Sequence, residues 1–154
     1  MIITLPAEKL LQNGPIIKVQ IGNPSDPLVQ AITVNALLDT GAAFSAINPQ
    51  IAHSCRLIQR SQKKVHVPGN TKAEDAKVYP EFAATLGFPE SDLDRIRVHG
   101  VIACPIFETQ FSCLIGRDIL RYWEFIYNGV LGQFSIKDSR ISFRSLTEPT
   151  HLSN

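Results

Sequence analysis

Neither sign of charge dominates this sequence: fifteen Lys and Arg stand against fourteen Asp and Glu, a formal net charge of +1. So even a balance gives no electrostatic footprint for nucleic acid or an anionic membrane, and neither partner is expected. Cysteine is scarce as well. Cys55, Cys104 and Cys113 are odd in number and irregular in spacing, which fits a reducing compartment better than a disulfide framework. No run approaches the ~20 apolar residues that span a bilayer. The opening stretch MIITLPAEKLLQNGP has no basic segment and no apolar core ahead of a cleavage site, so a cytoplasmic location is expected. Missing too are a glycine loop for phosphate and a Gly-x-Ser-x-Gly elbow. His66, His99 and His151 lack zinc-ligand spacing with any cysteine, so no metal site is expected.

What is present reads as an ordinary globular β protein. Hydrophobic residues make up 44% and charged residues 19% of 154 positions, enough for one domain with a sizeable core. We place that domain at residues 1–144 and read 145–154, SLTEPTHLSN, as a polar tail. GPIIKVQIG (14–22) reads as a strand closed by the turn cluster NPSDP, and LVQAITVNALL (28–38) as a long strand. A helix is expected after Asn48 as N-cap and Pro49 at its first position, with Ile51, Cys55 and Ile58 on one apolar face. Residues 63–89 read as a hairpin whose polar tip holds Pro68, Gly69 and Asn70. The cations Arg60, Lys63 and Lys64 read as a solvated turn. SDLDRIRV (91–98) fits a loop or a short helix equally. GVIACPIF (100–107) and FSCLIG (111–116) read as a second hairpin, RDILRYWEFIYN (117–128) as a helix, and 132–143 as two short strands.

Chemistry concentrates in two fragments, ALLDTGAAFS (36–45) and CLIGRDIL (113–120). The first aims one carboxylate, Asp39, out of a buried strand and turns at once through Thr40 and Gly41. The second places Gly116, Arg117 and Asp118 after three apolar residues, as a helix begins. Acid–base hydrolysis by carboxylates alone needs a pair, and the first fragment supplies one acid. His53 and Cys55 do not form a nucleophile pair, because side chains at i and i+2 of a helix do not face one another.

Together the fragments resemble the retropepsin-like, retroviral-type aspartic peptidases. That family is marked by an apolar-apolar-Asp-Thr-Gly-Ala segment, here Leu37 to Ala42, and a later apolar-apolar-Gly-Arg-Asp-apolar-Leu segment, here Leu114 to Leu120. A flap hairpin lies between them, and the resemblance covers roughly residues 14–143. It implies an all-β acid-protease fold: a closed, barrel-like sheet with a flap hairpin and short helices, one near the C-terminus. It also implies a homodimer that cleaves extended polypeptide, with Asp39 catalytic in each subunit and no metal or other cofactor. By the same resemblance Thr40 braces the loops across the two-fold axis, and Gly41 and Ala42 complete the active-site loop. Gly116, Arg117 and Asp118 support it from beneath, and His66, Val67, Pro68, Gly69, Asn70 and Thr71 form the flap tip over substrate. The sequence departs from the pattern at Ala43, where an aspartate often pairs with the arginine, so Arg117 needs another partner. The alternative is a dimerisation or peptide-binding module of the same fold with little or no hydrolysis.

Overall fold

The computed structural model describes residues 1–65 and 76–139. Ten strands and three short helices follow in order: β1 (Ile2–Thr4), α1 (Ala7–Asn13), β2 (Ile16–Gly22), β3 (Ile32–Leu38), β4 (Ala46–Ile47), α2 (Pro49–Ser54), β5 (Gln59–Val65), β6 (Lys77–Gly87), β7 (Ile96–Ala103), β8 (Cys113–Ile115), α3 (Arg117–Leu120), β9 (Trp123–Asn128) and β10 (Gln133–Asp138). The neighbour order β2-β3-β8-β4-β7-β6 closes through a β2–β6 pairing into a six-strand barrel. The fold is all-β and consistent with the retropepsin architecture.

Closure depends on the length of β6. Its first half pairs with β5, its end pairs with β2, and β7 runs along its other edge. Alternation along the strands fills the interior: Ile17, Val19 and Ile21 of β2 and Ala36 and Leu38 of β3 are all buried. Leu86, Val101, Cys113 and Ile115 continue the same core. A second, three-stranded sheet, β1-β10-β9, packs on it through Phe134, Ile136 and Trp123, whose ring meets Phe88 edge-on at 5.1 Å.

Helix α1, which the sequence reading did not anticipate, is built from Ala, Glu, Lys, Leu and Gln, all strong helix formers, with Asn13 as its last residue. It ends at Gly14, whose φ of 74° is a left-handed value suited to glycine and whose N–H bonds back to Leu10. Helix α2 starts as expected, with the Asn48 side chain accepting the Gln50 N–H, but it stops at Ser54. Cys55 is buried at its cap, whereas Ile58 has left the helix and is exposed.

Three further expectations are corrected and one open reading is decided. Segments 100–107 and 111–116 do not form a hairpin: β4 lies between β7 and β8, parallel to the first and antiparallel to the second. Residues 117–128 are not one helix, since α3 covers only four residues and Trp123–Asn128 is a strand paired along its full length with β10. The apolar spacing was ambiguous, because Trp123 and Phe125 alternate with exposed Glu124 and Ile126 as a strand requires. SDLDRIRV resolves into a loop entering β7 at Ile96. Arg60, Lys63 and Lys64 lie on β5 rather than a turn, and Lys63 is partly buried. Strands β5 and β6 pair as the hairpin arms; the tip residues His66, Val67, Pro68, Gly69, Asn70 and Thr71 lie outside the described residues, as do residues 140–154. No helix of the described residues is long and apolar enough to cross a membrane.

Candidate active site

Strand order builds the site. Strands β3 and β4 flank β8 on opposite sides, so the chain from Leu38 to Ala46 must cross the end of β8. That crossing is the loop 39–45. Parallel pairing sets Leu38 beside Ile115, and the Asp39 N–H then donates to the Ile115 carbonyl at 2.9 Å.

The Asp39 carboxylate is partly exposed at the head of this loop. Its Oδ1 accepts the N–H of Gly41 at 2.8 Å and of Ala42 at 3.2 Å, so the turn holds the acid in one orientation. A Cβ at Gly41 would stand 3.1 Å from that oxygen and crowd it. Thr40 and Gly41 are exposed.

Beneath the loop runs the chain from β8 into α3. The N–H of Arg117 donates to the Ala42 carbonyl at 2.9 Å. The Arg117 guanidinium reaches the carbonyls of Thr40 at 2.7 Å and Gly41 at 3.2 Å, so backbone oxygens serve where Ala43 offers no carboxylate. Gly116 passes so close under the loop that a Cβ there would lie 2.6 Å from the Phe44 carbonyl carbon. No side chain fits in that gap.

Ser45 completes the seam, and the sequence reading missed it. Its fully buried hydroxyl donates to Asp118 Oδ1 at 2.7 Å and accepts the Gly116 N–H at 2.9 Å. The Ser45 N–H donates to the other Asp118 oxygen at 3.0 Å, and the Ile119 N–H adds a bond to Oδ1. The available signal was one hydroxyl between Phe44 and the apolar pair Ala46-Ile47, a polar residue at a core position. Asp118 is thereby engaged by the scaffold through both oxygens. Asp39 is the acid of this cluster whose Oδ2 no described side chain or backbone amide engages, since Gly41 and Ala42 both donate to Oδ1.

None of the three cysteines lies on the Asp39 loop. Burial raises the Cys113 thiol to about 12, with the nearby Asp118 charge adding to the effect, so it stays protonated. Cys55 is buried and His53 exposed, which separates the one Cys–His pair close in sequence. Burial also raises the thiols of Cys55 and Cys104.

The structure thus brings Asp39, Thr40, Gly41 and Ala42 together with Gly116, Arg117 and Asp118. Comparison with protein families finds a match to the retroviral aspartyl protease model over residues 11–126. No individually curated protein matches the chain.

Proposed function

Because the chain belongs to the retroviral aspartyl protease family, we propose that it is a homodimeric aspartic endopeptidase acting on extended polypeptides. The observation that carries this reading is the state of the two acids at the site. Both are partly exposed, but Asp118 is held by three donors from the scaffold through both oxygens, whereas Asp39 accepts through Oδ1 alone, from the Gly41 and Ala42 amides of its own turn.

One subunit contributes one outward acid, and a two-fold contact sets the same residue opposite itself. Two carboxylates brought that close share a proton and titrate as a pair. The ionised member takes a proton from a water molecule, which attacks the scissile carbonyl. The protonated member donates to the carbonyl oxygen as the tetrahedral intermediate forms. Its collapse returns a proton to the leaving amine, with no covalent bond to the enzyme. The exposed Thr40 braces the loop against its counterpart across the axis in this reading. Substrate lies between the Asp39 loops and the β5–β6 hairpins, where flap residues 66–71 add backbone hydrogen bonds to an extended chain. Residues 1–144 act as a single catalytic domain, and the three free cysteines suit a cytoplasmic setting.

Asp39→Asn tests the reading. Peptide hydrolysis is expected to fall by about 10³-fold or more, since the shape of the loop is kept and the proton transfer is lost. Circular dichroism and thermal melting should match the parent protein. Full turnover in the purified variant refutes the mechanism, and an inactive parent protein leaves the binding-module alternative.

A further inference from the structure

A second cluster joins the β5–β6 hairpin to the catalytic loop. Ser61 and Glu81 are directly paired across the hairpin, and Lys63 lies two residues along β5 on the same face. The Ser61 hydroxyl donates to one Glu81 oxygen, while the Lys63 ammonium meets the other at 3.2 Å. Gly100 on β7 makes room for the carboxylate, since a Cβ there would lie 2.5 Å from Glu81 Oε1. On its other side the Lys63 ammonium stands 3.9 Å from the centroid of the Phe44 ring. Lys63 and Glu81 keep 33% and 15% of their side-chain exposure, so this cation and acid are partly shielded from bulk water.

Phe44 is where two constraints meet. Its backbone sits over Gly116, between the acid-bearing loop and the buried Ser45 seam. Its ring extends outward to the hairpin. A cation held by Glu81 on one strand pair and by an aromatic face on the loop fixes the distance between them.

We propose that Lys63 is a positioning residue that sets the height of the β5–β6 hairpin above the Asp39 loop, and with it the width of the cleft that receives substrate. The kinetic consequence rests on the peptidase reading; the mechanical coupling does not. Loss of the ammonium loosens substrate binding and leaves the acid pair and its chemistry in place.

The test compares the parent protein with Lys63→Met, which keeps length and removes charge, and Lys63→Arg, which keeps charge. Hydrogen–deuterium exchange followed by mass spectrometry reads residues 42–47 and 59–65 separately. In Lys63→Met, exchange is expected to rise about five- to tenfold in both segments, with Lys63→Arg near the parent rate. For peptide cleavage, KM is expected to rise by a similar factor while kcat stays within about twofold, and Lys63→Arg restores KM. Phe44→Leu, which removes the ring and keeps apolar contact, should reproduce Lys63→Met and serves if that variant fails to fold. Unchanged exchange at 42–47, an unchanged KM, or a fall in kcat alone overturns the proposal. If the parent protein cleaves nothing, the peptidase reading fails by itself and the exchange comparison still decides the coupling.

Discussion

At the scale of single residues, Ser45 is the one whose role is widest for its size. Its hydroxyl satisfies the buried Gly116 N–H and donates to the partly exposed Asp118 carboxylate. Ser45→Ala leaves the Gly116 N–H without that acceptor and removes a donor from Asp118, at an expected cost of about 1–3 kcal/mol. Urea denaturation checks this, and a loss below about 0.5 kcal/mol would place the residue among ordinary surface substitutions. Glu81 gives a pH signature. The Ser61 hydroxyl first, and then Lys63, hold its carboxyl below the ordinary 4.5. A depressed carboxyl stabilises the fold above its unfolded-state value, and that contribution is lost as pH falls through the lower folded value. The melting temperature of the parent protein should therefore exceed that of Glu81→Gln at about pH 7, with the gap closing as pH falls below 4.5. A gap of constant size across that range contradicts the assignment.

At the scale of elements, local chemistry was legible and pairing was not. Asn48-Pro49 announced the start of α2 because capping is decided within three residues. The Asp39 turn and the Gly116-Arg117-Asp118 segment were equally legible, since each needs particular residues at particular places. The partner of β8 was not, because β4 consists of two residues, Ala46 and Ile47, too few to leave a period in the sequence. Ser45 was hidden for the same reason. Residues 117–128 were misread because an apolar set at 119, 120, 123 and 126 suits a helix, while the aromatics Trp123 and Phe125 alternate as in a strand. The two arrangements differ in what they bury. In the strand, Trp123 is 7% exposed and Ile126 is 55% exposed. Trp123→Ala is accordingly expected to cost about 3–5 kcal/mol and Ile126→Ala less than about 1 kcal/mol, measured by chemical denaturation. Comparable large losses at both positions would favour a continuous helix.

At the scale of the whole molecule, the fold explains why one carboxylate stands where it does. The barrel closes through β2 and β6, the loop 39–45 crosses β8, and the acid is presented outward at that crossing. Strand β1 is engaged with β10 of its own chain, so Ile2–Thr4 already has a partner within the subunit. None of this assembly was available from periodicity, because closing a barrel joins strands distant in the chain. The second acid is the point on which the functional reading turns. Mixing parent subunits with Asp39→Asn subunits, under conditions that let them exchange, counts how many acids one active site requires. At equal proportions and constant total protein, about one quarter of the parent activity is expected, because only pairs of parent subunits carry both carboxylates. Activity of one half, tracking the parent fraction in a straight line, would mean that a single Asp39 suffices and would contradict the shared site.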